Sequence, residues 1–373
     1  MRVMQSPQLS DLPVPPAYKV GWPWTQETNP KSFFDKFISY PKITIVTPSY
    51  NQGHFIEETI RSLLLQGYPN LEYIIIDGGS TDKTVDIIKK YEPWVTYWIS
   101  EPDNGQSTAI NKGLARCTGD IFNWLNSDDF LEPGSLLTVG KFFAENEHIQ
   151  VVCGREYRFE EENPQSKFLG EGTIIKPLLE ETICLGNICQ PSTFFKKSVI
   201  DEIGLLSEEL NYLMDCELWT RYLLQFGQEK IIKVDQVFSN YRLHNNSKTV
   251  SKSPLFFIEK KCIDLSLLSY IQTVPFVINK MRSELTSTYI KYTRQNWNIS
   301  SFVNKNLLSA WYCKLYITKF YYDREYQSCK AAIKYCMSQK LFSFSKSELL
   351  VFIKTFLINR SLLNYLRNIK TEV

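Results

Sequence analysis

The sequence lacks the cysteine patterns of disulfide-stabilised and zinc-binding proteins. It contains nine cysteines, an odd number, and no two of them form a CxxC pair. Small disulfide frameworks use even numbers of cysteines, and structural zinc sites use closely spaced pairs. This usage argues against both classes and favours a reducing compartment, so we expect a cytoplasmic protein.

Long apolar runs are also missing. No stretch reaches the roughly 18 apolar residues that a spanning helix needs, and the start "MRVMQSPQLSDLPVPPAYKV" has no apolar core of a signal peptide. We therefore expect neither feature. Because the net charge is only +2, a general nucleic-acid binder is not expected either.

The 373 residues, 43% of them apolar, are enough for a full-sized core and an accessory domain. Residues 251–373 carry 19 Lys and Arg against 7 Asp and Glu, whereas residues 1–250 are net acidic. The sequence thus predicts a Pro-rich N-terminal arm (1–40), a catalytic domain (41–250) and a basic, mainly helical domain (251–373). In the arm, Trp22 and Trp24 are candidates for packing on the main body.

The last domain allows two interpretations. "LFFIEKKCIDLSLLSYI" and "ELLVFIKTFLINRSLLNYLRNIK" are apolar helical patterns with lysine and arginine. Such helices can lie on an anionic membrane surface, which predicts a peripheral contact at the inner face of the membrane. The favoured alternative is a helical bundle packed on the catalytic domain with its lysines solvated.

Strand and helix patterns alternate from residue 43 onward. "ITIV", "LEYIIID", "WVTYWIS" and "IFNWLNS" read as strands, and helical patterns of about 10–15 residues separate them. The helix after the fourth strand is expected to have Pro133 in its first turn. This alternation predicts an α/β fold with a parallel, Rossmann-like sheet.

Polar residues follow each of the four strands. The segments are "PSYN" (48–51), "DGGS" (77–80), "SEPDNG" (100–105) and "NSDD" (126–129). Ligands of such sheets bind beyond the carboxyl ends of the strands. The sequence therefore predicts the functional site at this edge.

The acidic pair in "NSDD" suits a divalent cation, because Mg²⁺ and Mn²⁺ prefer carboxylates and substrate phosphates as ligands. The alternative is a solvated acidic turn. Tyr50 could stack on a base, and Asp77 could accept from a base or ribose. Gly105 begins a helix whose free N–H groups could receive phosphate or ribose oxygens, and Asn111 lies two turns further on. For each of these residues an ordinary packing or turn role is the alternative.

"MDCELW" places Asp215 and Glu217 at the start of another helix. Acids at this position gain from the helix dipole, so a structural role is one explanation. The functional explanation is a general base that faces the cleft.

Taken in order, these segments resemble the catalytic half of family 2 glycosyltransferases, which are inverting enzymes of the GT-A type. The resemblance is specific from about Ile43 to Asp129 and looser to about residue 250. It implies that Pro48, Tyr50 and Asp77 contact the nucleotide, and that Gly105, Gln106 and Asn111 also bind the donor. The DxD motif of the family falls on residues 126–128.

At that motif Asn126 replaces the acid that normally contacts the ribose, and Asp128 matches the metal-binding acid. Asp129 is expected to support it. His244 in "YRLHNNSKT" matches a histidine near the diphosphate or metal, with a surface-loop histidine as the alternative. Asp215 matches the catalytic base, and Met214 replaces the acid usually found beside it.

The resemblance implies transfer of a sugar from a nucleotide-sugar, with a UDP-sugar favoured, to a glycan or lipid-linked acceptor in cell-surface polysaccharide synthesis. A divalent cation, Mn²⁺ or Mg²⁺, would be the cofactor. One alternative is a nucleotidyltransferase, but "TPSYNQGHF" has a single glycine and no basic residue where such enzymes carry a Gly-rich basic loop. The other is an inactive nucleotide-sugar-binding module.

Overall fold

The computed structural model describes residues 6–29, 38–285 and 292–356. Within these ranges the strands are β1 (Ile43–Ser49), β2 (Leu71–Asp77), β3 (Tyr97–Ser100), β4 (Ile121–Trp124), β5 (Phe130–Leu131), β6 (Val151–Glu160), β7 (Asn163–Leu169), β8 (Thr193–Lys196) and β9 (Ile231–Leu243). The helices of the first two-thirds are α1 (Ile56–Leu64), α2 (Thr84–Tyr91), α3 (Gln106–Leu114), α4 (Ser135–Glu145), α5 (Leu179–Leu185), α6 (Lys197–Ile203) and α7 (Met214–Phe226). The remaining helices are α8 (Lys248–Ser251), α9 (Ser253–Ile271), α10 (Pro275–Ser283), α11 (Lys305–Tyr322), α12 (Tyr326–Ser338) and α13 (Lys346–Phe356).

The first four strands form a parallel sheet in the order β3-β2-β1-β4. Every residue of β1 and β4 is buried, which explains their continuous apolar runs, since helices cover both faces of such sheets. The α/β prediction is confirmed for this part of the chain. One detail was wrong: α4 begins at Ser135 after Gly134, whose φ of +76° suits glycine, so Pro133 precedes the helix.

Beyond β4 the sheet becomes mixed and continues β8-β6-β9-β5, with β7 paired to β6. β8 is antiparallel to both of its neighbours, whereas β9 runs parallel to β6 over most of its length. β5 is only two residues long and pairs with the end of β9 through Phe130 and Asn240. This pairing draws the end of β9 beside the segment that follows β4.

The chain divides into two compact units. Unit 1 contains residues 1–175 and 186–257, and unit 2 contains residues 176–185 and 258–373. The short helix α5 thus folds with the C-terminal helices, although it lies between strands in the sequence.

The regular secondary structure in the described part of unit 2 consists of helices, joined by segments such as 292–304 that are not helical. Its core includes Leu268 of α9, Tyr312 and Phe320 of α11, and Ile333 of α12, all of which are fully buried. Tyr312 donates through its hydroxyl to Asp264 Oδ1 at 2.8 Å, and Lys260 pairs with the same oxygen. Residues 357–370 of the second predicted helical pattern lie outside the described ranges.

Among the helices in the described ranges, none combines the length and the apolar character that crossing a membrane would require.

The N-terminal arm is attached to unit 1 by the buried side chain of Arg61 on α1. Its guanidinium donates to the carbonyl oxygens of Pro13, Pro23 and Trp24 at 2.9–3.1 Å, and to the Tyr91 hydroxyl at 3.0 Å. Trp24 is only 5% exposed and lies against the same guanidinium. As predicted, the tryptophans pack on the main body.

Replacing Arg61 with methionine should destabilise unit 1. The change leaves three arm carbonyls without their charged donor, and unsatisfied buried groups cost roughly 1–3 kcal/mol each. We expect a loss of about 3 kcal/mol and a melting temperature roughly 6–12 °C lower, measured by thermal denaturation. Arg116→Met is the control, because Arg116 is exposed over the Tyr97 ring. Equal shifts in the two variants would contradict the role of Arg61.

Candidate active site

The ends of the parallel strands meet at one edge of the sheet. Ser49 at the end of β1 is in register with Asp77 at the end of β2, which is in register with Ser100 at the end of β3. The amide of Leu125, just after β4, donates to the Val46 carbonyl at 3.0 Å. The polar segments that follow these strands are therefore neighbours.

Asp77 shapes the turn that follows β2. Its carboxylate is fully buried. Oδ2 accepts from the amides of Gly79 and Ser80 and from Ser100 Oγ at 2.6–3.1 Å, and Oδ1 accepts from Ser80 Oγ at 2.5 Å. A carboxylate offers about four acceptor positions, and these four donors occupy them, so a base or ribose could bond to Asp77 only by replacing one of the donors.

The loops after β1 and β2 are joined through Asn51. Its amide donates to Ser80 Oγ at 2.7 Å, and its side-chain oxygen accepts from the Thr81 amide at 2.9 Å. Pro48 is buried within β1. The Tyr50 side chain, in contrast, is 61% exposed. An aromatic ring is thus presented to solvent beside the Asp77 turn.

Gly105 is the N-cap of α3 and has a φ of +121°, which only glycine adopts readily. Its amide donates to Asp103 Oδ1 at 2.8 Å. The same carboxylate would lie 3.1 Å from a Cβ at Gly78. The loop before α3 is therefore packed closely against the turn after β2.

Asn111 is engaged elsewhere. Its side-chain oxygen accepts from the Leu206 amide, and its Nδ2 donates to the Leu206 carbonyl and to Glu208 Oε1, each at 3.0 Å. All of these partners lie in the segment after α6. Asn111 thus holds that segment to α3. Its side-chain amide already bonds to residues 206 and 208, so the predicted contact with the nucleotide-sugar would require one of these bonds to be replaced.

Asp128 and His244 form a close pair. Nε2 of His244 lies 3.0 Å from Oδ2 of Asp128, with the side chains 8% and 20% exposed. The imidazole also packs on the Phe55 ring, with centroids 4.7 Å apart. The residues are 116 positions apart in sequence, and the pairing of β5 with β9 brings them together.

Asp129 differs from Asp128 because it is buried, with only 1% exposure. Its Oδ1 accepts from the Arg242 amide at 3.0 Å, and its Oδ2 has no hydrogen-bond partner among the described residues. Burial, together with the neighbouring charge of Asp128, raises the pKa of Asp129 well above its usual value. The two adjacent acids are therefore not equivalent.

Asn126 belongs to a chain of polar side chains. Gln106 Nε2 donates to Asn126 Oδ1 at 2.7 Å, and Lys248 Nζ donates to Gln106 Oε1 at 3.0 Å. The Lys248 ammonium also donates to the Asn211 carbonyl at 2.9 Å. A positive charge therefore lies beside two of the predicted donor-binding residues.

Asp215 lies in the first turn of α7, and its Oδ1 accepts from the Cys216 amide at 2.8 Å. Glu217 is fully buried and forms a two-oxygen pair with Arg221 at 2.8–3.0 Å. Of the two acids in this turn, Glu217 therefore has the structural role.

Tyr241 lies near the end of β9, and burial raises the pKa of its hydroxyl. That hydroxyl forms a hydrogen bond with Thr249 Oγ1.

Three residues near the site were not predicted from the sequence: Arg242, Lys248 and Tyr241. Arg242 and His244 are separated by two positions, so in a strand they lie on one face. The segment "NYRLH" therefore already indicated that Arg242 lies on the same face as the candidate ligand His244. Lys248 belongs to a short helix after β9 and carried no comparable signal.

The side chains of Asp128 and His244 are of the types that bind divalent cations. Among the described residues no group of three or more His, Cys, Asp or Glu could hold a metal ion. Mg²⁺ and Mn²⁺ are commonly held by one or two carboxylates and by substrate phosphates. Asp128 and His244 would be the protein ligands, and the orphaned Oδ2 of Asp129 lies beside them.

Comparisons with known proteins show which family part of the chain is similar to. Residues 44–204 match Glycosyl transferase family 2. An uncharacterised glycosyltransferase of Rickettsia typhi is 31% identical over 207 residues, which are 52% of this chain and 63% of that protein. The chain thus spans less than two-thirds of the length of this relative.

Two further similarities are more limited. TuaG of Bacillus subtilis, a glycosyltransferase provisionally assigned to teichuronic acid biosynthesis, is 34% identical over 35% of this chain and 52% of its own. A crystal structure of S. aureus TarS 1–349 in complex with UDP-GlcNAc aligns with a TM-score of 0.49 and 16% identity, covering 74% of this chain and 81% of that one.

The sheet order and the polar segments that follow β1–β4 define an α/β domain with a parallel, Rossmann-like part, and a helical region follows it in the sequence. The match to Glycosyl transferase family 2 includes β1–β4, from residue 44 onward, and the polar segments that follow them. The resemblance to family 2 glycosyltransferases stated from the sequence is confirmed.

Proposed function

We propose that the protein is an inverting glycosyltransferase that moves a sugar from a nucleotide-sugar to an acceptor hydroxyl, in the synthesis of a cell-surface polysaccharide or glycan. The observation that carries this proposal is the Asp128–His244 pair, held at the same edge of the sheet as the Asp77 turn and the exposed Tyr50. The part of this edge with Tyr50 and Asp77 suits a nucleotide base, and the part with Asp128 and His244 suits a diphosphate with its cation.

The base and ribose would bind over β1 and β2. The exposed Tyr50 ring offers a stacking surface, and Asp77 would bond to the base if the base replaced one of the donors in the turn. A UDP-sugar is the favoured donor, as the resemblance to the family implies. Pro48 would support the Tyr50 loop through its backbone, and Asn126 would hydrogen-bond the ribose through its amide.

The diphosphate would bind between Asp128 and the start of α3. A cation held by Asp128 and His244 would neutralise charge on the leaving nucleoside diphosphate. The Gly105 backbone allows close approach, and Gln106 lies between Asn126 and the Lys248 ammonium. Lys248 would add a second positive charge on the leaving group.

Asp215 would act as the general base. Its carboxylate would accept the proton of the acceptor hydroxyl as that oxygen attacks the anomeric carbon. The bond between the anomeric carbon and the diphosphate oxygen breaks in the same step, and the electron pair leaves with the diphosphate. A single displacement inverts the anomeric centre.

Removing the charge of Lys248 should slow the release of the nucleoside diphosphate from the nucleotide-sugar. For Lys248→Met we expect a fall in kcat/KM of about tenfold, because hydrogen bonds to charged groups contribute roughly 1.5–3 kcal/mol. Steady-state assays of nucleoside diphosphate release measure it. Lys252→Met is the control, since Lys252 is exposed four residues further along. Unchanged kcat/KM in Lys248→Met would show that the ammonium does not contact the donor.

A donor screen tests the proposal as a whole. The protein is incubated with UDP-, GDP- and dTDP-sugars and Mn²⁺ or Mg²⁺, and nucleoside diphosphate release is followed by mass spectrometry. Release that depends on the cation supports the proposal. Pyrophosphate formed from a nucleoside triphosphate and a sugar phosphate would instead indicate a nucleotidyltransferase. Binding without turnover of any donor, with a range of acceptors, would indicate an inactive binding module.

The acceptor is proposed to be a glycan or a lipid-linked saccharide. A peripheral membrane contact would then involve the basic side chains of the C-terminal helices together with exposed apolar ones such as Leu315, Leu349 and Leu350. Co-sedimentation with anionic liposomes at low and high salt measures this contact, which should weaken as salt rises.

A further inference from the structure

Arg242 is a buried residue with contacts to both acids after β4. Its side chain is 5% exposed, its Nε donates to the Asp128 carbonyl at 2.8 Å, and its backbone amide donates to Asp129 Oδ1 at 3.0 Å. Both bonds hold the segment that carries the candidate metal ligand, and neither uses the Asp128 carboxylate. Arg242 thus holds the backbone that carries the Asp128 carboxylate and leaves that carboxylate to other partners.

Two acidic side chains orient the guanidinium. Nη2 donates to Glu58 Oε2 at 2.6 Å, and Nη1 donates to Glu161 Oε2. The guanidinium also lies over the rings of Phe55 and Phe159, at 5.0 and 4.8 Å from their centroids. Phe55 is the ring on which His244 packs, so one aromatic side chain contacts both Arg242 and the second candidate ligand.

Glu58 connects this arrangement to the N-terminal arm. Its other oxygen, Oε1, accepts from the indole Nε1 of Trp24 at 3.2 Å. Arg61, one helical turn after Glu58, holds the Trp24 carbonyl. A continuous chain of bonds therefore runs from Trp24 through Glu58 and Arg242 to the Asp128 backbone. Two members of this chain, Trp24 and Arg242, lie outside the part of the sequence that matches the family, which is residues 44–204.

We propose that Arg242 is a positioning residue for the cation-binding acid Asp128, and that the N-terminal arm is part of this support because Trp24 orients Glu58. This inference rests on the proposed function, which assigns the cation to Asp128. Groups that orient metal ligands commonly change metal affinity by about 10–100-fold when mutated. The arm would then contribute to cation-dependent donor binding without touching the donor.

The structure offers a matched pair of variants. Trp24→Phe removes the bond to Glu58 and keeps an aromatic ring. Trp22→Phe is the control, because Trp22 also lies in the arm and its Nε1 donates to the Leu131 carbonyl at 2.7 Å, which is not part of the chain. Arg242→Lys keeps the charge but cannot donate to Asp128, Glu58 and Glu161 at once.

The test is calorimetric titration of each full-length variant with UDP, with and without Mn²⁺, alongside its melting temperature. We expect Arg242→Lys to lose about 10–100-fold of the Mn²⁺-dependent affinity, and Trp24→Phe to lose about tenfold. Trp22→Phe should keep the wild-type affinity, and metal-free UDP binding should be the same in all variants. A purely structural role of Trp24 would instead give equal affinities for Trp24→Phe and Trp22→Phe, which would overturn the inference.

Failure of the proposed function has a different signature. If wild-type protein binds no UDP, GDP or dTDP with Mn²⁺, the proposed donor site is wrong. Titration with Mn²⁺ alone, monitored by electron paramagnetic resonance, then still tests whether the N-terminal arm affects cation binding. Weaker Mn²⁺ binding in Trp24→Phe than in Trp22→Phe supports the connection, and equal binding, or none in wild type, refutes it.

Discussion

Replacing Asp215 with asparagine is expected to reduce glycosyl transfer by about 10²–10⁴-fold, the usual contribution of a general base. The amide cannot take the proton of the acceptor hydroxyl, but its oxygen can still accept from the Cys216 amide as the carboxylate does at 2.8 Å. The start of α7 should therefore keep its structure. Transfer is measured with saturating donor, and donor affinity by calorimetry.

The expected signature is a large fall in kcat with nearly unchanged donor affinity. Asp201→Asn is the control, because Asp201 is an exposed acid on α6 that pairs with Lys197. Full activity of Asp215→Asn would remove Asp215 from the mechanism. A parallel loss of donor affinity would instead assign it to the binding of the donor.

Replacing Asp128 with asparagine is expected to abolish the effect of Mn²⁺ on nucleoside diphosphate binding. The change removes the charge of the proposed cation ligand, and a cation on a phosphoryl oxygen is worth several kcal/mol. We expect a loss of about 10²-fold or more in Mn²⁺-dependent affinity. Calorimetric titration with and without the metal measures it, and transfer activity should fall in parallel.

Asp120→Asn is a matched control for Asp128, because Asp120 directly precedes β4 whereas Asp128 follows the other end of that strand. Its Oδ2 accepts from the Lys42 amide at 2.9 Å, and an asparagine oxygen can do the same. Asp120→Asn should bind the diphosphate and Mn²⁺ as wild type does. If Asp128→Asn also behaves as wild type, the cation is not held by this acid.

The parallel part of the fold was predictable because its signals are local. Each of β1–β4 is a short apolar run, and each ends where polar residues begin. Parallel strands align their carboxyl ends, so the pattern was sufficient to place Tyr50, Asp77 and residues 126–129 at one edge. The register of Ser49, Asp77 and Ser100 confirms that placement.

Other features depend on contacts between distant segments and were not predictable. The sequence does not show that Asp129 is buried beneath Arg242 while Asp128 stays partly exposed, because the difference arises from β5 pairing with β9. The amide of Asn111 is bound to residues 206–208, which no local pattern indicates. The antiparallel β8 could not be distinguished from a parallel strand by its four residues.

The long strand β9 determines more than the position of one histidine. β9 pairs with β6, and Phe159 is opposite Arg242 in this pairing. The number of residues along β9 therefore determines which of its side chains lies beside residues 128–129. Side chains alternate along a strand, so inserting or deleting one residue would turn both Arg242 and His244 to the other face. Changes in the length of β9 should therefore be tolerated much less well than substitutions at its exposed positions. For relatives of this chain, the spacing between the end of β6 and the histidine is a more informative comparison than identity along the strand.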